Sequence, residues 1–505
     1  MRSGERVRQN KRLNGNKSWI IALLIPLALF GSLVCWAVSS PVGSSPDEDY
    51  HLASIWCAQG PRPGFCEQSI TEGAMLVPKR IVVESSCYAL HPERSAKCPI
   101  TNPHELISTT RGNFHNHGYP PVFYAVMSVF VQNSIPTAVI SMRIFNSLVF
   151  VAMMTTLFLL HRQRRQGIVL WSTFAVLVPF GLFIVPSVNP SSWAVISASS
   201  LWLALIGYYE ARTRSTVIWF GTLSLLATVI GAGARSDSAI YCIIAVAAVA
   251  ILKWRKSDRY WLRAVLPALI VVISAAFFLG SAQSSANLNG SANVVIGLRG
   301  TLGLIFAALP HLPYLWGSIF GLSGLGWLDT VMPEIVWMSC LGAAAALFFH
   351  GLRWNSWRKT SALSLIAFAL IAVPLEVIVA NRIDVYGYIQ PRYIYPLLIL
   401  FAGVSLWGLA GRNIELHRAQ ILVICGVLTI AQAFALYTNT KRYVGGLNSR
   451  HLSLTSDSWW WQISISPETI VFSGAVLFLI AMACTAIWVW PTSNTRSNEY
   501  ADGRD

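Results

Sequence analysis

Long apolar stretches recur along the chain at 18–38, 138–160, 168–186, 191–209, 216–233, 238–252, 264–280, 332–350, 361–380, 393–410, 419–437 and 469–490. A helix needs about 20 largely apolar residues to span the hydrocarbon core. The pattern therefore predicts an all-α polytopic transmembrane protein with about twelve spans. Two more apolar stretches, 120–133 and 301–322, do not fit as full spans. Counting them would turn basic connections such as His161 to Arg165 outward, against the positive-inside rule. Both are expected to be partial or interfacial helices on the outer side, begun or bent by Pro120, Pro121, Pro310 and Pro313.

The first apolar stretch follows a basic tail, residues 1–17, with Arg2, Arg6, Arg8, Lys11, Arg12 and Lys17. A cleaved signal peptide is the rival reading. The stretch is long for a signal, no small-x-small site follows it, and Leu33 and Val34 before Cys35 make a poor lipoprotein signal. A retained first helix with a cytoplasmic amino end is expected. The membrane domain then runs over 18–490, and a polar cytoplasmic tail over 491–505. Connections at Lys253 to Lys256 and Arg353 to Lys359 are short and basic, as cytoplasmic loops should be. The outer side receives one long loop, 39–119, a second large loop with an interfacial helix, 281–331, and a third at 438–468.

Composition agrees. Of 505 residues 54% are hydrophobic and only 12% charged, against about 25% in soluble proteins. Mean hydropathy is +0.54. These values exclude a disordered chain, a collagen-like fibre and an ordinary cytosolic enzyme. The net charge of +15 suits either a nucleic-acid binder or a membrane protein with basic inner loops. The basic residues gather in the inner loops, so the charge signals topology and no nucleic-acid partner is expected. The expected location is the plasma (inner) membrane, with both termini cytoplasmic.

Four of the nine cysteines, Cys57, Cys66, Cys87 and Cys98, share the first outer loop. They suggest two disulfides in one of three connectivities, sequential pairing being the simplest. A metal site of Cys87, His91, Cys98 and His104 competes, but its spacing matches no standard zinc pattern. The other five cysteines fall in apolar spans, where a thiol behaves as a small hydrophobe.

The strongest local feature runs from Ser45 to His51, just past the first helix. Three adjacent acids, Asp47, Glu48 and Asp49, repel one another at a membrane surface. His51 shares a helix face with Asp47 or Glu48. Such a cluster can deprotonate a hydroxyl, or hold a divalent cation such as Mg or Mn at Asp47 and Glu48. Helix capping explains one acid, not three with a histidine. Asn113 to Tyr124, with His115, His117 and Tyr119 before a double proline, forms either a polar lip of a site or an interfacial aromatic anchor.

Further polar groups stand at the outer ends of later spans: Asn189, Arg235, Asp237, Gln390, Arg392 and Tyr393, with Arg143 in the second span. Arginine binds phosphate bidentately, and an outward cavity lined by Arg235 and Arg392 opposite the acids suits a lipid-linked phosphate. Snorkelling is the bland account of any one of them. Glu376 lies inside an apolar span, where it serves an ion pathway or pairs with a neighbouring helix. Trp459 to Trp461 reads as an interfacial anchor first and a sugar platform second, and Asn289 to Ser291 is a glycosylation sequon.

Four of these features, in order, resemble one family. Pro46 to His51 looks like its PDE-x-x-H hallmark, Gly118 to Tyr124 like its PP-x-x-Y element, and Arg235 to Asp237 like its basic-x-Asp loop. Gln390 to Pro396 is similar to its QGRY-x-x-P motif, with Pro391 in place of glycine. This is the bacterial domain-of-unknown-function family 2142, itself similar to the GT-C glycosyltransferases; the resemblance covers about residues 20 to 440. It implies a multi-spanning enzyme that takes a sugar from a polyprenyl-phosphate carrier on the outer face, with inversion. The acceptor is then a glycan or glycolipid of the cell envelope. By the same resemblance Asp47 is the leading base and Glu48 the alternative. His51 orients the acid or contacts phosphate, Arg392 and Arg235 hold the carrier phosphate, and Tyr393 lines the pocket. The chain lacks the large carbohydrate-binding domain of the arabinosyltransferase relatives. A transporter or flippase of a lipid-linked glycan is the main rival, and a non-catalytic assembly partner the third reading. A transporter would place charges near the bilayer midplane, where only Glu376 and Arg143 are candidates.

Overall fold

The computed structural model describes residues 15–114, 118–254, 258–282, 298–353, 355–381, 390–408, 416–448, 454, 459–461 and 465–490. It is a polytopic α-helical membrane protein with very little strand. In chain order, α1 is Gly15–Val38, α2 Glu48–Cys57, α3 Lys79–Val83 and α4 Val122–Met127. The long helices α5 (Ile135–Leu160) and α6 (Gln163–Val176) follow, then a short α7 (Leu182–Ile184). Next come α8 (Pro190–Glu210), α9 (Arg214–Ala232), α10 (Ser236–Lys253), α11 (Asp258–Leu262) and α12 (Val265–Leu279). The chain continues with α13 (Leu298–Ala308), α14 (Leu312–Gly317), α15 (Glu334–Leu352) and α16 (Trp357–Asn381). It ends in α17 (Pro391–Leu406), α18 (Arg418–Gly445) and α19 (Pro467–Trp488).

Among the described residues, twelve helical stretches are long and apolar enough to cross a membrane. Eleven lie where the hydropathy pattern puts them. The twelfth is 299–320, which the sequence reading left out, whereas α17, which it counted, has only 16 residues. The hydrogen bonds decide which of the two crosses. Arg392 at the start of α17 reaches Asp47, in the long 39–119 segment, and Gly408 just past its end accepts from Arg165 at the opposite face. By contrast, Ser281 before the 299–320 stretch contacts Ser236, and Trp327 after it donates to the Gly43 carbonyl at 2.9 Å. Both flanks therefore lie on the face of the long segment, called the loop face below. The stretch is also broken at Leu309–His311, with Pro310 and Pro313 in successive turns. Likewise 120–133 holds only α4 and one 3₁₀ turn, too short to span.

Helices α6 and α8 sit at the centre and are buried nearly throughout, while α1 packs along α19, and α9 along α8. The start of α8 shows why a helix begins there. Asn189 caps it by accepting from Ser191 N at 2.9 Å, and Pro190 fills the first turn, where no N–H is needed. Pro391 plays the same part in α17, so a proline in place of glycine starts this helix without strain.

The 39–119 segment is more ordered than its composition suggests. It holds α2, α3 and a three-stranded antiparallel sheet of β1 (Glu67–Gln68), β2 (Met75–Pro78) and β3 (Leu106–Thr109). Sequential disulfides Cys57–Cys66 and Cys87–Cys98 fasten it, and the remaining five cysteines are buried thiols. Trp460 and Trp461 are buried, and Trp461 donates to the Val38 carbonyl at 2.7 Å. The triplet therefore packs on the loop-face end of α1 rather than offering an open platform. Residues 1–14 and 491–505 of the tails, the sequon at Asn289, and the histidines His115 and His117 lie outside the described residues, whereas 15–17 already belong to α1.

Candidate functional site

The site forms where the turn before α2 meets the first residues of α10 and α17. Asp47 occupies the N-cap position of α2 in a left-handed conformation, φ 59°. Aspartate tolerates that region better than most residues. Its side chain makes no capping bond. One carboxylate oxygen accepts from Arg392, and the other from Arg111 at 3.2 Å. The capping account of Asp47 therefore fails. Arg111, two residues past β3, also holds Asp49 at 2.7 Å and is half exposed.

The three acids have separate surroundings. Glu48 is fully buried and accepts from Arg143 at 3.0 and 3.2 Å and from Ser45 N at 2.9 Å. Arg143 also donates to the carbonyls of Ala37, Ser40 and Pro41 at 2.6–2.9 Å. The pair locks the chain as it leaves α1. Two sequence expectations are corrected. Glu48 is sealed away from any hydroxyl, and Arg143, a candidate midplane charge, is paired with Glu48 and backbone carbonyls at the loop-face end of α1. Of the two acids named as bases, only Asp47 is accessible, with 35% of its side chain exposed.

The divalent-ion reading also fits poorly. Asp47 and Glu48 turn to different arginines, and among the described residues no three His, Cys, Asp or Glu side chains converge. Cations already stand where a metal would have to sit.

Around Asp47 the other named residues that are described converge with two exceptions, His115 and His117 lying outside the described residues. Arg392 is buried and also donates to the Pro46 carbonyl at 2.8 Å. Arg235 is paired with Asp237 through two bonds, at 2.9 and 2.6 Å. Its guanidinium lies 5.0 Å from the Tyr393 ring and 5.8 Å from the Tyr119 ring, within cation–π range. Tyr119 in turn meets the His51 ring edge-on at 5.3 Å. The exceptions are Asn189 and Gln390. Asn189 is fully buried and donates to the Pro46 carbonyl at 2.8 Å, so it shapes the Asp47 turn and cannot line a pocket. Gln390 stands beside Arg392, but it neither caps α17 nor, among the described residues, finds a partner for its buried Oε1. Glu376 faces outward from α16, and neither an ion pair nor a neighbouring helix holds it among the described residues.

Two further buried atoms of the site, His51 Nε2 and Arg392 Nε, lack partners among the described residues. A buried polar atom without a partner costs stability and needs an explanation. Such atoms are not confined to the site, since Arg143 Nε and Arg442 Nε also lack partners among the described residues. The residues that sequence reading missed are Arg111, Tyr50 and Tyr124. Tyr124 holds His51 Nδ1 at 3.0 Å, and Tyr50 packs on both His51 and Tyr119. Tyr50 and Tyr124 lie inside the quoted motifs, so the signal was present.

Electrostatics follow from this packing. Burial pushes the Asp47 carboxyl up, but Arg392, with a smaller contribution from Arg111, outweighs it and holds the group below the usual range. Burial first, then Arg392, holds the His51 imidazole well below its ordinary value, against the pull of Asp47. His51 is therefore neutral in the folded site. An unfolded histidine takes a proton as pH falls through about 6.5, and the native one does not. The unfolded state then binds more protons, so native stability falls with pH from that point down to the native value. A His51→Gln variant should show a shallower loss of thermal stability between about pH 7 and pH 5. The difference should not exceed about 1.4 kcal/mol per pH unit. Equal slopes in both proteins would refute the buried neutral imidazole.

No curated protein and no solved structure matches this chain. A family model described as predicted membrane protein (DUF2142) matches residues 30–401, and the chain belongs to that family.

Proposed function

We propose that this protein is a GT-C-type glycosyltransferase of the plasma membrane. It moves a sugar from a polyprenyl-phosphate carrier to a glycan or glycolipid acceptor of the cell envelope, outside the cytoplasm. Two disulfides on the loop face support that orientation, because such bonds persist in oxidising compartments. So do the basic residues on the opposite face, among them Arg165, Arg212, Arg214, Lys253, Arg353 and Arg358. Both termini are then cytoplasmic.

One observation carries the reading. Asp47, the more exposed of the two acids named as bases, pairs with the buried Arg392, and Arg235 lies nearby within cation–π range of the Tyr119 and Tyr393 rings. Asp47 accepts the proton of the acceptor hydroxyl. The hydroxyl oxygen bonds to the anomeric carbon from the face opposite the carrier, with inversion. The carbon–oxygen bond to phosphate breaks, and its electrons leave on the phosphate. Arg392 and Arg235 meet that growing charge in a site with little water to screen it.

Arg392 holds Asp47 when no carrier is bound, so phosphate must compete with the carboxylate. A phosphate that captures Arg392 removes the main cation lowering the Asp47 proton affinity. The base thus gains strength when the donor arrives. Arg392→Ala should weaken carrier binding about tenfold or more and acceptor binding far less, with Arg392→Lys intermediate because it keeps charge but loses the fork. Carrier affinity unchanged in Arg392→Ala would remove it from the phosphate site. The direct test is a transfer assay with purified protein and a panel of polyprenyl-phosphate sugars, run with and without chelator. Absence of transfer from every carrier would sink the proposal.

A further inference from the structure

One space near the site is left unused by the carrier chemistry. A cavity of about 590 Å³ opens in the 39–119 segment, between the sheet and helices α2 and α4. Its size falls in the range of small-molecule sites. Gln68, Ser69, Thr71 and Glu72 from the β1–β2 hairpin line it together with the aromatic residues Phe114 and Tyr124. No lysine or arginine lines it among the described residues, and Glu72 is its sole charge. A phosphate would find no cation there. A neutral sugar chain would find amide and hydroxyl partners for its rim and ring faces for its C–H surface.

The walls are preset. The Cys57–Cys66 bridge ties the end of α2 to the start of the hairpin, and Gln68 pairs with Met75 across the strands. Asn113 binds Ser54 through its backbone N–H and exchanges two bonds with the Tyr119 backbone, at 2.8–3.2 Å. Little ordering is then left for binding to do. Tyr124 belongs to both places: its ring lines the cavity and its hydroxyl holds His51 Nδ1 at 3.0 Å. The cavity and the Asp47 site therefore share one wall.

We infer that this cavity is a subsite for a neutral saccharide chain, the part of the acceptor that lies beyond the reacting sugar. Binding stands on the cavity alone; the word acceptor rests on the transferase reading. The test is saturation-transfer NMR on the full chain in lipid nanodiscs. The probes are glucose-, mannose-, galactose- and arabinose-based disaccharides, with inorganic phosphate as competitor. At least one disaccharide should receive saturation from the protein. Phe114→Ala, which removes a ring face, and Ala58→Trp, which fills the space from an exposed position, should each weaken it about tenfold. Phosphate should not compete, because no cation lines the cavity among the described residues. Ala58→Trp touches no core residue, so it remains informative if Phe114→Ala unfolds. No saturation by any probe, full binding in Ala58→Trp, or displacement by phosphate would each overturn the subsite. Saccharide binding without transfer from any carrier would leave the subsite standing and remove the transferase reading. Transfer without cavity-dependent binding would do the reverse.

Discussion

Glu48→Ala is expected to destabilise the protein by about 3–5 kcal/mol, the largest stability effect of any single change near the site. The reason is the partner left behind. Arg143 is fully buried, and Glu48 is the one anion it touches among the described residues. Its other partners are the carbonyls of Ala37, Ser40 and Pro41 and the Ser44 hydroxyl, which stabilise a guanidinium but do not neutralise it. Removing the carboxylate strands a charge where water cannot reach. Glu48→Gln keeps the shape and one acceptor, so it should cost less and still yield folded protein. Each folded Glu48→Gln molecule should turn over at the wild-type rate, because Glu48 faces Arg143 and Ser45 rather than substrate. Thermal unfolding in detergent measures the first effect, and transfer per folded molecule the second. A stable but inactive Glu48→Gln would return the base role to Glu48 and overturn the assignment.

That outcome turns on a distinction the sequence could not make. Asp47 and Glu48 are neighbours in one acidic run, and both are in reach of His51 by helical spacing. The left-handed backbone at Asp47 separates them, sending one carboxylate to Arg392 and the other to Arg143. A single φ angle decides this, and no pattern of residue types encodes it. The long spans were legible for the opposite reason. Each is an apolar run whose length alone identifies it. Where length failed, at the 16-residue α17 and the broken 299–320 stretch, the pairing of residues at their ends settled the crossing. Arg392 and Arg235 stood out as charges at the ends of apolar runs. Arg111 did not, because it lies in a polar loop and is brought to Asp47 only by the β2–β3 pairing. Asn189 was legible as important but not in its role, since its contact is a backbone carbonyl 143 positions away.

Asp47→Asn is expected to abolish transfer while leaving carrier binding intact or stronger. Asparagine matches aspartate in shape, and its carbonyl can still accept from Arg392 or Arg111. The turn before α2 also keeps its other supports, from Asn189 and Arg392 to the Pro46 carbonyl. The fold should therefore survive. The proton acceptor does not, and loss of a general base lowers turnover by about 10²–10⁴-fold. Binding should move the other way. On the proposed reading the carrier phosphate displaces a carboxylate from Arg392 in the wild-type protein and only a neutral amide in the variant. Opposed changes in turnover and affinity distinguish a base held in reserve by its own phosphate-binding arginine from a merely structural acid. A structural acid would lose both together. Direct binding of a polyprenyl-phosphate sugar to Asp47→Asn, measured beside single-turnover transfer, resolves the two. Full activity in the variant would remove Asp47 as the base, and weaker carrier binding would refute the competition between carboxylate and phosphate.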